Sequence, residues 1–274
     1  MAPRSQILSV LLIAACSTGC ASQRSTVHVS APGSPGAREH ASGPCAIVST
    51  GVVQGDWPTL WRTSQADPGV LNIPASRASH WESVACSALK KYPPGVIETN
   101  LDAVFIVQTL KLWGVGAAAY PTERSIFLAV ADLETGEAAS SDVQGSLHAS
   151  IASALWYQHK NCMKSDRWNA LLPRNFSYAG WEHAIVNPLD RSPELQEDGF
   201  YENYSTSNME ADFTVIASGL MSGSQDLWEA ARAHERIRAK LELTMQFYQC
   251  IDPRFTEAFF KSLSLRHESG APRF

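Results

Sequence analysis

The spacing of apolar residues predicts a helix, two strands and a second helix in the first half of the folded region. In the range 79–92 apolar residues recur at intervals of three and four, which predicts a helix that ends before two prolines. The ranges 103–113 and 125–130 are rich in Val, Ile, Leu and Phe and predict strands. The range 142–159 again has helical spacing.

The remainder of the chain is predicted to be mostly helical. The range 173–207 lacks periodicity and is predicted to be a long loop. Ser207 and Glu210 have the spacing of a capping box, so Ser207 is predicted to cap the next helix. Ser224 is predicted to cap a long helix, and the range 256–263 is predicted to form a last short helix. A helix, a few strands and then helices indicate an α+β domain with a small sheet and a mostly helical C-terminal half.

The first residues have the pattern of a secretory signal. Arg4 precedes an apolar stretch at 7–15, which is too short to cross a bilayer because a spanning helix needs about 20 residues. The sequence Ile-Ala-Ala-Cys at 13–16 resembles a bacterial lipoprotein lipobox and predicts a lipidated Cys16. Cys20, which follows Ser-Thr-Gly, is a second candidate for the lipid.

These signals divide the chain into three parts. Residues 1–15 are predicted to be the signal peptide, and residues 16–44 the lipidated cysteine with a flexible Ser-, Gly-, Ala- and Pro-rich tether. Residues 45–274 are predicted to form a single globular domain. Because no acidic residue follows Cys16 directly, the resemblance to Gram-negative lipoproteins favours the outer membrane, with the domain facing the periplasm and the membrane contacted through the lipid.

Composition narrows the classes of function. The chain has 274 residues, and 22 Lys and Arg against 27 Asp and Glu give 22 − 27 = −5, a net charge that argues against a nucleic-acid partner bound by a basic face. A hydrophobic content of 45% with only 18% charged residues excludes disorder over the whole length.

Four cysteines remain in the predicted domain. An exported chain with an even number of cysteines is expected to pair them, and three connectivities are open. We favour Cys45–Cys86, which would tie down the start of the domain, and Cys162–Cys250, which would join two helix ends. No Cys-x-x-Cys pair is present, so a cysteine-based zinc ribbon is not expected.

Two segments resemble a known enzyme family. The run SIFLAV at 125–130, followed by SLHASIASALWYQH at 146–159, resembles the edge strand and active-site helix of HExxH zinc metallopeptidases. The segment GFYENYSTSNMEADFTVIASGLM at 199–221 resembles the third-ligand segment of the lethal-factor-like group and related bacterial zinc-binding peptidases. The resemblance covers about residues 100–250 and implies a zincin-like fold.

The positions that carry the family's chemistry are altered. In an HExxH helix two His four residues apart bind one zinc, and the Glu after the first His activates the bound water. Here the first His is His148, the Glu position holds Ala149 and the second His position holds Ala152. Tyr204 matches the family's active-site Tyr, and the third ligand is replaced by Ala211. The resemblance therefore implies the fold without the reaction.

Three functional hypotheses follow. The first is a pseudoenzyme that has no catalytic zinc and retains a cleft for a peptide or protein ligand. The second is a metal-dependent peptidase with rearranged ligands, for example His148, His183 and either Glu202 or Glu210, and this is the only case in which zinc is expected. The third is a structural envelope lipoprotein unrelated to the peptidases.

Overall fold

The structure is a computed structural model, and it contains the mixture of helices and strands that the sequence predicts. The described residues are 43–58, 61, 68–130, 137–180 and 190–268. The predicted signal peptide, Cys16, Cys20 and His183 lie outside them.

Helices dominate the second half of the described chain. They are α1 (Ala75–Leu89), α2 (Val96–Asn100), α3 (Glu137–Gln158), α4 (Ser165–Asn169), α5 (Pro193–Glu197), α6 (Met209–Ser222), α7 (Gln225–Ala233), α8 (Glu235–Ile251) and α9 (Glu257–Glu268). The strands are β1 (Val48–Thr50), β2 (Gly69–Asn72), β3 (Ala103–Leu112), β4 (Val115–Gly116), β5 (Ala119–Pro121) and β6 (Ser125–Ala129). Short 3-10 turns occupy Gly43–Ile47, Gln54–Asp56, Lys160–Cys162 and Asn203–Thr206. This content confirms the α+β prediction.

The sheet is built around β3, the longest apolar run among the strands. β1 and β6 pair with β3 in parallel, and β5 pairs antiparallel with β6, which gives the order β1-β3-β6-β5. β2 pairs antiparallel with the later part of β3, and β4 forms a hairpin with its end. β6, the strand before α3, therefore lies inside the sheet, and β5 lies at the edge. The resemblance had implied that the strand before α3 is an edge strand.

Each face of the sheet covers its own apolar cluster, because successive strand residues point to opposite faces. Val104 and Ile106 belong to the main core, which the helices build on one face. Val107 and the partly buried Phe105 belong to a smaller cluster around Trp61 on the other face. α3 and α6 make the most extensive helix contact, so the two segments that resemble the peptidases pack against each other.

Both disulfides form in the favoured pairing. Cys45 bonds to Cys86, and Cys162 bonds to Cys250. The first bond joins the 3-10 turn that begins the described domain to α1. The second joins the 3-10 turn after α3 to the last turn of α8, and this confirms the expectation that it ties two helix ends.

Two predicted helix boundaries were wrong. α6 is capped by Asn208, whose side-chain oxygen accepts a hydrogen bond from the backbone N–H of Ala211 at 2.8 Å, and Ser207 lies one residue earlier. The long helix predicted after Ser224 is broken at His234, whose extended backbone (φ −123°, ψ 115°) separates α7 from α8. Within the described residues no helix is both long and apolar enough to span a membrane.

Candidate functional site

His148 and Ala152 lie on one buried face of α3. They are four residues apart, the spacing that puts two side chains on the same side of a helix, and both are fully buried. Nδ1 of His148 lies 3.1 Å from the hydroxyl of Tyr92, which follows α1. The Nε2 atom has no hydrogen-bond partner among the described residues. His148, which the resemblance matches to the first zinc ligand, is therefore a buried histidine of the fold.

Burial also sets the charge of this imidazole. Desolvation lowers the pKa of His148 well below its ordinary value, and the nearby charge of Lys91 lowers it further. A neutral imidazole at physiological pH suits both a metal ligand and a core residue. In the structure, the group within hydrogen-bond distance of this imidazole is the hydroxyl of Tyr92.

A polar group lies one turn further along α3. Ala149, Ser153 and Tyr157 are spaced by four residues and form a stripe beside the His148 face. The hydroxyl of Ser153 donates a hydrogen bond to the carboxylate of Glu210, and the hydroxyl of Tyr157 donates another at 2.8 Å. We call Ser153, Tyr157 and Glu210 the hydroxyl–carboxylate cluster. It joins α3 to the first turn of α6.

Glu210 as a whole residue is only 9% exposed. Desolvation raises its pKa, and the hydrogen bonds from Ser153 and Tyr157 together with the charge of Lys160 act in the opposite direction. The sequence had suggested a capping-box role for Glu210. The structure shows a different role, since Asn208 caps the helix and Glu210 reaches across to α3.

Tyr204 lies beside this cluster in the 3-10 turn that precedes α6. It is half-buried and packs against the main core. Burial raises the pKa of its phenol, and the carboxylates of Glu210 and Glu202 and the phenol of Tyr157 raise it further. The electrostatic neighbours of Tyr204 are thus the acidic groups around α6, whereas the hydrogen-bonded neighbour of His148 is Tyr92.

Ala211, which the resemblance matches to the third ligand, is fully buried in the first turn of α6. The next residue, Asp212, is also fully buried and forms an ion pair with Lys240 of α8, with 2.7 Å between Nζ and Oδ2. The same oxygen accepts hydrogen bonds from the indole N–H of Trp168 at 2.9 Å and the hydroxyl of Tyr178 at 3.2 Å. Asp212 therefore holds four parts of the chain together.

The ligand set suggested for a rearranged zinc site is dispersed over separate interactions. His148 meets Tyr92, Glu210 meets α3, and Glu202 accepts hydrogen bonds from Arg191 at 3.1 Å. His183, the fourth candidate, lies outside the described residues. Within those residues, no group of three or more His, Cys, Asp or Glu is placed to hold a metal ion.

Sequence reasoning missed the two polar groups that join the helices. The four-residue spacing of Ser153 and Tyr157 was a usable signal for a shared face, and the pair Glu210 and Asp212 was an unusual acidic content in an apolar segment.

Comparison of the chain with protein-family profiles, with curated proteins and with solved structures gave no match.

Proposed function

We propose that the chain is a lipid-anchored protein of the bacterial envelope whose peptidase-like helix pair has become a structural core, and that it acts by binding a ligand without catalysis. The lipid anchor rests on the lipobox at 13–16. The loss of catalysis rests on what the altered family positions now do in the fold.

The observation that carries the proposal is the burial of those positions. Ala152, Ala211 and His148 are each fully buried, and Ala152 belongs to the main core. A catalytic zinc needs three protein ligands and an open fourth position for water or substrate. One enclosed histidine whose hydrogen-bonding neighbour is the hydroxyl of Tyr92 supplies neither, which supports a structural role for these positions.

A binding role is favoured by the partly exposed rim of the same helix pair. Tyr157 and Tyr204 are half-buried beside Glu210, and the ammonium of Lys160 lies 5.7 Å from the centre of the Tyr157 ring. Aromatic rings with adjacent hydrogen-bonding groups are enriched at recognition surfaces because they bury apolar area and still satisfy polar partners. A peptide has both of these chemistries, and we propose a peptide segment as the ligand.

Elemental analysis tests the catalytic half of the proposal. The purified, dialysed protein is expected to contain much less than one zinc per chain and to cleave no peptide. The triple variant Ala149→Glu, Ala152→His, Ala211→Glu restores the family's base and two ligands. If the helix pair keeps the peptidase geometry, a folded triple variant gains zinc. One zinc per chain in the wild type would contradict the pseudoenzyme assignment.

A peptide array tests the binding half. Peptides retained by the wild type are expected to bind at least about tenfold more weakly to Glu210→Gln, a loss of about 1.4 kcal/mol. Glu257→Gln, at an exposed glutamate of α9, is the matched control and should bind like the wild type. The binding assignment fails if no retained peptide distinguishes Glu210→Gln from Glu257→Gln while both variants keep the wild-type circular dichroism.

A further inference from the structure

The hairpin between β3 and β4 displays a tryptophan in an unfavourable backbone conformation. Leu112 pairs with Val115, so Trp113 and Gly114 form a two-residue loop, and both have positive φ, 52° and 77°. Such loops favour Asn-Gly or Gly-Gly, because a side chain with a large β-substituent is strained at positive φ. A bulky aromatic residue at the first loop position is therefore unusual.

Packing does not explain this tryptophan. Its exposed fraction is 40%, and it lies outside both apolar clusters. A strained residue that contributes little burial is a candidate for a role outside the fold itself. The ring is large and apolar and carries an N–H at one edge, the combination that partitions to the boundary between lipid and water.

The strand face behind the loop has the same character. Leu71 of β2 pairs with Thr109, and Gly69 pairs with Lys111, so these residues share one face of the ribbon. Leu71 is 53% exposed and Lys111 is exposed, whereas the opposite face carries the buried Leu110. An apolar side chain and a lysine thus lie on one face of the strands that lead to the tryptophan, with Lys111 two residues before it and Leu71 opposite Thr109, four residues before it.

We propose that this ribbon end, formed by Trp113, Lys111 and Leu71, is a membrane-contact surface that inserts Trp113 into the lipid–water boundary. The inference rests on the lipid anchor of the proposed function, because the anchor keeps the domain near a bilayer. Trp113 and Leu71 supply apolar contact, and the Lys111 ammonium faces anionic headgroups.

The length of the chain before the described domain permits this contact. From Cys16 to Gly43 there are 43 − 16 = 27 residues, which extend to at most about 90 Å. The domain begins near the start of β3, since Val48 pairs with Val104, and the hairpin tip lies nine residues further on. That distance is about 30 Å along the strand, well within the reach of the tether.

Quenching by brominated lipid tests the contact. The mature lipidated protein is reconstituted into vesicles of phosphatidylethanolamine and phosphatidylglycerol with brominated acyl chains, which quench tryptophans in contact with lipid. Since the chain has eight tryptophans, quenching of roughly one eighth of the emission is expected in the wild type. It should disappear in Trp113→Phe and weaken in Leu71→Ser. Trp228→Phe, at a half-buried tryptophan of α7, is the matched control and should keep it.

The outcomes separate this inference from the anchor on which it rests. Equal quenching in the wild type and in Trp113→Phe overturns the contact while the protein still floats with the vesicles. Self-association in detergent that depends on Trp113, without quenching in lipid, assigns the surface to a second copy and also overturns it. If the protein does not float with vesicles at all, the lipid anchor fails and the contact fails with it.

Discussion

The ammonium of Lys240 lies 2.7 Å from Oδ2 of Asp212, and both side chains are fully buried. Lys240 also donates a hydrogen bond to the carbonyl of Gly199 at 2.8 Å and lies 4.1 Å from the centre of the Phe200 ring. The pair therefore fixes α8 against α6 and against the chain segment before the 3-10 turn. Desolvation lowers the pKa of Lys240 and raises that of Asp212, so each charge depends on the other.

Removing one member of this pair is expected to destabilise the fold strongly. Lys240→Met leaves Asp212 as a buried charge without its counter-ion, which should lower the free energy of unfolding by about 3–5 kcal/mol in urea titration. The matched control is Lys261→Met, because Lys261 pairs with Glu257 on the exposed side of α9 and its loss should change stability by no more than about 0.5 kcal/mol. Similar losses in the two variants would contradict the importance of burial.

The buried His148 predicts a loss of stability in mild acid. Its pKa is low in the folded state and ordinary, about 6.5, in the unfolded state, so below that pH the unfolded chain takes up a proton that the folded chain does not. The free energy of unfolding contributed by this group is thus fully present above about pH 6.5 and falls by up to about 1.4 kcal/mol per pH unit below it.

Urea titrations between pH 8 and pH 5 measure this effect as the difference between the wild type and His148→Asn. The raised pKa of Glu210 acts with the opposite sign, because its stabilisation declines as pH rises, and this term cancels in the difference. Tyr92→Phe, which keeps the imidazole, is expected to retain the acid loss. Parallel pH profiles for the wild type and His148→Asn would refute a buried neutral histidine.

Two glycines in the same backbone region are expected to respond differently to alanine. Gly223 ends α6 with φ 74°, and a Cβ there would lie 2.7 Å from the carbonyl oxygen of Leu263. Gly95 has φ 87°, and a Cβ there meets nothing within 4 Å. Both alanines carry the left-handed penalty of about 1–2 kcal/mol, and Gly223→Ala adds a steric cost of about 1–3 kcal/mol in thermal or urea unfolding. Equal losses of stability in the two variants would show that the contact between α6 and α9 adjusts to the added methyl group without a steric cost.

The disulfides are expected to contribute unequally. The Cys162–Cys250 bond closes a separation of 88 residues and the Cys45–Cys86 bond one of 41. Loop entropy predicts that Cys162–Cys250 contributes about 4.5 kcal/mol to the free energy of unfolding and that Cys45–Cys86 contributes about 4 kcal/mol. Replacing Cys162 and Cys250 by Ser should therefore destabilise the domain more than replacing Cys45 and Cys86. Alkylation of the denatured, unreduced protein should label none of these four cysteines, and labelling of two or more would disprove the pairing.

The sequence by itself determined the elements that depend on local pattern. The strand predicted at 103–113 is β3, Ala103–Leu112, and the helix predicted at 142–159 is α3, Glu137–Gln158, because apolar periodicity reflects which face of an element is buried. Cysteine parity and export predicted two disulfides, and both form. Short strands such as β1 and β4 were missed, since two or three residues carry no period.

Only the tertiary structure decided which partners the polar residues have. Glu210 was expected to serve its own helix and instead joins Ser153 and Tyr157 of α3, and Asp212 finds Lys240 of α8. These partners are separated by 28 to 57 residues in the chain, so no local spacing encodes them. A buried charge takes whichever partner the packing of helices brings within hydrogen-bond distance, because leaving it unpaired costs more than any local preference supplies.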